Sequence, residues 1–358
     1  MKVTAKTIAP CQQRLEIDLP PQAVADAYDA VYRQIQREAT IAGFRKGKAP
    51  RDLLEKHHAQ AAREEVLKRL ISDGIQQATQ ERHLHLAGRC DVSQVQLDPA
   101  TGLQFTAEIE VAPEIPLGAY TGVPLRRPST AVSDDDVQQA LARLQEHHAE
   151  LVPTGGGEQK EKQLPALDDA FAKDLGMETL EALRVKVRND LTTHRRQEAS
   201  RAVQQQLVDA LLAQSTFNVP PSLVARQSER LKRHLAARLM TTGLSEEQTK
   251  EEMGRLEQEL STNALRQVKI RFLIDRIAEA ERITVTQEEL VRQLWTLANR
   301  TRQDPNTLRR QLDEQGLWDD LAAEIRYEKT MDFLLQAAKI EDDSPVVTPS
   351  SSPAAHQP

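Results

Sequence analysis

Hydrophobic positions recur along this chain with two different periods, and the changes of period divide it. Residues 2–19 alternate with period two and read as two short strands broken near Pro10, the second covering 14–19. Pro20 and Pro21 end that strand and open a helix. Along it Val24, Tyr28, Val31 and Ile35 recur at i, i+4, i+7 and i+11, one apolar stripe over about four turns. After a loop bounded by Gly43 and Pro50, a short helix carries Leu53 and Leu54. A longer one follows, with Val66, Leu67, Leu70, Ile71, Ile75 and Ala78 on one side. Gly74 inside it costs about 1 kcal/mol relative to Ala and is read as marking a close helix contact. Alternation then returns in 90–97 and 103–111, with Asp98, Pro99 and Gly102 in the turn of a hairpin. The order strand–strand–helix–helix–strand–strand defines a small α+β domain over residues 1–112.

Residues 113–128, rich in proline and glycine, form an extended connector. Ser133 then starts a helix through Val137, Leu141 and Leu144 to about Leu151, completing a connector and linker helix over 113–151. Asp134, Asp135 and Asp136 lie in its first turn, where carboxylates oppose the helix dipole, so the run reads as a cap rather than a metal or catalytic site. Residues 152–164, with three consecutive glycines, form a flexible polar linker. From 165 to 340 helical patterns dominate and arm-like helices are expected. One long helix carries Leu180, Leu183, Val187, Leu191, Val203, Leu207 and Leu211, and another carries Leu223, Val224, Leu231, Leu235 and Leu239. Ser245 with Gln248 and Thr286 with Glu289 have capping-box spacing, while Asp304–Pro305 opens a helix that Gly316 closes. A last helix runs from about Trp318 to Lys339. The Pro/Ser-rich residues 341–358 read as a disordered tail.

Composition narrows the function classes. The 358 residues are 28% charged and 3% aromatic, the signature of a helix-rich, well-solvated protein of two to three domains. No run approaches 18 apolar residues, so no membrane span is expected. The first residues alternate and lack a signal-peptide core, which points to the cytoplasm. Cys11 and Cys90, the two cysteines, make no disulfide framework. A net charge of −7 argues against a general nucleic-acid binder and against DNA as a partner. Within residues 33–69, however, ten Lys/Arg face five Asp/Glu, a local +5 that suits one oriented contact with an anionic surface.

The centre of that basic stretch is Gly43-Phe44-Arg45-Lys46-Gly47-Lys48-Ala49-Pro50. Its glycines open backbone angles closed to other residues, and Pro50 keeps a helix from running back into the loop. Unpaired cations are costly away from water, so Arg45, Lys46 and Lys48 mark a presented tip with Phe44 as its apolar anchor. The plainer alternative is a solvated loop with Phe44 folded back on its own helices. His57–His58, His147–His148 and His83/His85 with Cys90 lack metal-site spacing and read as surface histidines. No phosphate loop, nucleophile elbow or His–carboxylate pair occurs, so neither catalytic residues, cofactor nor metal are expected.

The octapeptide resembles the signature loop of trigger factor, the bacterial ribosome-associated chaperone. The resemblance implies that Phe44, Arg45 and Lys46, framed by Gly43, Gly47 and Lys48, dock on ribosomal RNA and a protein at the tunnel exit. Residues 164–340 resemble the family's C-terminal chaperone domain, through 167–176 (Leu-Asp-Asp-Ala-Phe-Ala-Lys-Asp-Leu-Gly) and 217–221 (Phe-Asn-Val-Pro-Pro). The family implies an ATP-independent chaperone that holds nascent chains to assist folding and export. Most members also carry an FKBP-type prolyl-isomerase domain after the first connector. About a hundred residues would be needed for it, and only the linker is available here, without an aromatic wall for a prolyl pocket. That domain is therefore expected to be absent. Two rival readings are retained isomerase activity and an RNA-binding regulator using the basic pole. Met177, Met240, Met253 and Met331 suit an adaptable client surface, although methionine at helical spacing is more often core. Client residues cannot be assigned from the sequence, and whether the free chain forms a homodimer off the ribosome stays open.

Overall fold

A four-stranded antiparallel sheet with two helices on one face begins the chain. The computed structural model describes residues 1–38, 44–45, 48–153, 160–241 and 245–343. The strands β1 (Lys2–Ala9), β2 (Gln12–Leu19), β3 (Leu86–Asp98) and β4 (Gly102–Val111) stand in the order β1-β2-β4-β3. Between β2 and β3 run α1 (Pro21–Glu38) and α2 (Arg51–Glu81). Period-two alternation turns Leu15, Ile17 and Leu19 of β2 and Leu103, Phe105, Ala107 and Ile109 of β4 to one face. They pack with Val24, Val31 and Tyr32 of α1 and Val66, Leu70 and Ala78 of α2 into a single core. The two helices read at 51–81 are one helix kinked at His58, whose φ of −125° and ψ of 19° leave the helical range. Gly74 does mark a close approach, but to the sheet rather than to a helix, since a Cβ there would lie 3.3 Å from Phe105 Cζ. The β3–β4 turn rests on Gly102, whose φ of +105° is closed to side chains and where a Cβ would fall 2.1 Å from the Leu19 carbonyl oxygen.

The chain forms two compact units, each drawing on separated segments. The first takes Met1–Leu117 and Ser215–Tyr327, the second Gly118–Gln214 and Glu328–Pro358. In the second unit, α3 (Asp134–His147), α4 (Asp169–Asp174) and α5 (Leu180–Gln214) enclose Val137, Leu141, Phe171, Ala172, Leu183 and Val187. Ser133 caps α3 in a reciprocal capping box with Asp136, and Arg195 ion-pairs with Asp136 at 2.6 Å, so the acidic run is a cap.

Two pairings in this unit depart from the sequence reading. The connector carries β5 (Pro124–Arg127), which runs parallel to β8 (Lys339–Asp342), where the last helix was expected to end and the tail to begin. Gln206 of α5 closes β5's other side, accepting from Arg126 N at 2.9 Å and donating to Arg126 O at 2.8 Å. The stretch expected to be a flexible linker carries β6 (Glu150–Pro153) and β7 (Lys160–Gln163), paired antiparallel, with the glycines between them outside the described residues. Strands of four residues leave too little period to read. The remainder of the tail, 344–358, also lies outside the described residues.

The first unit continues with α6 (Pro221–Thr241), α7 (Glu246–Arg255), α8 (Glu257–Ala280), α9 (Gln287–Thr301), α10 (Pro305–Gln315) and the start of α11 (Trp318–Ala337). The capping boxes at Ser245 and Thr286, the Asp304 cap with Pro305, and the left-handed Gly316 all stand as the spacing implied. Leu294, Ala298, Leu308 and Leu312 zip α9 to α10.

Glu110 at the end of β4 holds the first turn of α6. It is 7% exposed and accepts from Ser222 N at 3.2 Å, from the Ser222 hydroxyl, and from Arg89 N at 3.2 Å. Burial alone would raise its pKa, but these bonds, together with one from the Gln12 side chain, outweigh burial and hold it below the ordinary 4.5. A carboxylate at a helix N-terminus also meets the positive end of the dipole. The depressed value means that this contact stabilises fully above the unfolded pKa and is lost as pH falls through the folded one. Glu110→Gln is expected to lower unfolding stability by about 2 kcal/mol at pH 7. The difference between the two proteins should shrink below pH 4.5 in denaturant titrations at several pH values.

Candidate docking tip

The loop between α1 and α2 is fastened at its base and open at its end. Ala49 is 3% exposed within the head core, and its carbonyl accepts from Gln36 Nε2 at 2.7 Å. Lys48 N donates to Arg45 O at 2.9 Å. Beyond that base Phe44 is 41% exposed, and Arg45 and Lys48 are exposed. Phe44 is not among the residues of the head core. Gly43, Lys46 and Gly47 lie outside the described residues.

Arg33, Arg37, Arg45, Lys48 and Lys56 are exposed and make no ion pair among the described residues, so their fields point into solvent. Arg51 differs. Its guanidinium pairs with Asp29 of α1 and with Glu55 of α2 at 2.7 Å, and sits 5.4 Å from the Tyr32 ring centroid. These contacts raise its pKa further, with the Glu55 hydrogen bond as the largest cause. Sequence counting treated Arg51 as one more cation of the basic stretch. Its i,i+4 spacing to Glu55 was a readable signal, whereas the Asp29 contact depends on how α1 and α2 pair.

A second feature of the first unit is apolar surface left open on its helices. Met240 is 60%, Trp295 54%, Val291 49% and Leu265 38% exposed. Val291 and Trp295 stand four apart on α9, at the margin of the same i, i+3, i+4, i+7 stripe that buries Leu294 and Ala298. Sequence reasoning named neither. At i, i+3, i+4 and i+7 with Leu294 and Ala298 they read as part of the packing stripe, so no local signal marked them as open. Of the four methionines singled out, Met331 is 7% exposed, Met177 and Met253 are half-buried, and Met240 alone is open.

No group of three metal-ligating side chains occurs among the described residues, and no described helix is long and apolar enough to cross a membrane. His148 instead meets Phe171 edge-on at 6.0 Å, and His58 sits at the α2 kink.

The first unit joins an α+β head with an open, apolar-and-basic loop to long helices with exposed apolar side chains, the class of an α+β head on a helical body. Comparison with known proteins gives the family. Residues 1–144 match the profile of "Bacterial trigger factor protein (TF)", and residues 179–336 match that of "Bacterial trigger factor protein (TF) C-terminus". The trigger factor of Moorella thermoacetica is 29% identical, with 95% of each chain covered. That of Koribacter versatilis is 27% identical over 92% of this chain and 95% of its own, and that of Anoxybacillus flavithermus 26% over 91% and 96%. A solved structure of the trigger factor chaperone, studied for promiscuous substrate recognition in folding and assembly, is 19% identical. It covers 94% of this chain and 99% of its own, with a TM-score of 0.47. The chain belongs to the trigger factor family. It does so without the family's middle isomerase region: the matched stretches leave only 145–178 between them. The alignment with the Moorella protein spans 427 positions, more than the 358 residues present here.

Proposed function

We propose that this protein is an ATP-independent chaperone of the cytoplasm that docks at the ribosomal exit tunnel and holds emerging polypeptides. The observation that carries the reading is Phe44, 41% exposed beside Arg45 and Lys48 on a loop whose base is tied down. An apolar ring framed by cations suits a rim where ribosomal RNA phosphates meet a protein surface: the cations supply affinity, the ring orientation. Gly43, Phe44, Arg45, Lys46, Gly47 and Lys48 form the docking set. Emerging chains would meet Met240, Leu265, Val291 and Trp295, which offer weak, sequence-tolerant apolar contact. Docking raises the local client concentration, so weak contacts suffice. Isomerase chemistry has no evident seat, since an independent domain takes on the order of 100 residues.

The test is co-sedimentation of the intact protein with ribosomes across a salt series. Three tip cations neutralising phosphates give an expected slope of log K against log salt of about −2 to −3. No pelleting at low salt, or a salt-independent affinity, would refute docking through this tip.

A further inference from the structure

Arg51 occupies a position that local rules disfavour. It is the first residue of α2, where the helix dipole opposes a cation, and no side chain caps that helix start. A residue set against its local preference is usually held there by something else. Here two carboxylates hold it: Asp29 from α1 and Glu55 one turn along α2, with the face of Tyr32 beneath the guanidinium. Tyr32 in turn stacks on Tyr28, with ring centroids 6.1 Å apart.

The geometry of the ties is the second observation. Asp29 and Gln36 are seven residues apart, about two turns along one side of α1. Gln36 fastens the Ala49 carbonyl and Asp29 fastens Arg51, so both grip the returning limb of the loop just past Lys48. The charges close the case. One guanidinium between two carboxylates has a local sum of −1, so Arg51 offers little positive field to an anionic surface, unlike Arg45 and Lys48.

We infer that Arg51, with Asp29 and Glu55, is a positioning clamp for the docking loop rather than a docking cation. It rests on the function proposed above. Its effect is to fix the angle at which Phe44 and the exposed cations leave the helical pair, which lowers the ordering cost of binding. Asp29, Arg51 and Glu55 are all 43–50% exposed, so their removal should leave the head folded.

The experiment compares ribosome affinity and its salt slope for wild type, Arg51→Gln, Asp29→Asn/Glu55→Gln, and Phe44→Ala/Arg45→Ala as the reference. The carboxylate double variant separates the two roles by sign. Removing two negative charges beside a basic tip strengthens binding to an anionic partner by simple electrostatics. A clamp predicts the opposite, a weakening of about fivefold, near the ceiling for half-exposed ion pairs. Arg51→Gln should weaken binding similarly with an unchanged salt slope, and Arg51→Lys should restore part of the loss, since a lysine pairs with one carboxylate but lacks the fork. Tighter binding by the double variant overturns the clamp. So does a slope reduced by about one in Arg51→Gln, which would mark a direct phosphate contact. Wild-type affinity in Arg51→Gln, while the reference variant fails to bind, overturns the clamp alone. A reference variant that still binds overturns the docking proposal itself.

Discussion

Replacing Phe44, Arg45 and Lys46 together with alanine should abolish co-sedimentation with ribosomes while leaving the melting temperature within a few degrees of wild type. Two terms vanish at once. Losing two phosphate-neutralising cations removes about 1.5 to 2 from the salt slope, which is more than tenfold in affinity at moderate salt. Losing a central aromatic anchor removes about 2 kcal/mol or more, a further factor of about thirty. Stability should hold because Phe44 is 41% exposed and takes no part in the head core, and exposed loop positions rarely shift stability by more than about 0.5 kcal/mol. Pelleting of the triple variant at wild-type levels would defeat the assignment of the tip.

Phe105→Ala is expected to be the most damaging single substitution in the head. The ring is 3% exposed at the middle of β4, and the helix facing it presents Gly74, with no side chain of its own, where an added Cβ would lie 3.3 Å from the ring edge. A neighbour without a side chain cannot move in to fill the void, so the cost belongs at the upper end of the usual range, about 4 kcal/mol. Chemical denaturation should report it directly. Ribosome binding should fall as well, although Phe105 is no part of the tip, because α1 and α2 are seated on the sheet that this ring completes. A loss under 1 kcal/mol would mean that the head repacks freely and that its core does not set the tip.

Legibility followed the length and locality of each pattern. The α1 stripe of Val24, Tyr28, Val31 and Ile35 and the alternation of 103–111 were readable because each repeats its period several times within one element. The caps at Ser133, Ser245, Thr286 and Asp304 were readable because a cap is settled by residues three apart. By contrast, β5 and β8 have four residues each and lie 215 apart between Arg127 and Asp342, so nothing local announces either. At the tip, the sequence displayed the cations and the ring but not their division of labour. Arg45 and Arg51 look alike in a charge count, and only the position of Asp29 on the neighbouring helix shows that one faces solvent and the other is engaged internally.

The β5–β8 pairing bears on how this protein is itself born. Translation delivers Pro124–Arg127 long before Lys339–Asp342, so for most of synthesis β5 has no strand to lie against. The Gln206 side chain, which satisfies both peptide groups of Arg126, is available much sooner, but it covers the opposite edge, so the edge that β8 will pair stays open in the interval. The second unit thus closes only near the end of its own making, and a protein assigned to guarding unfinished polypeptides spends its early life as one of them.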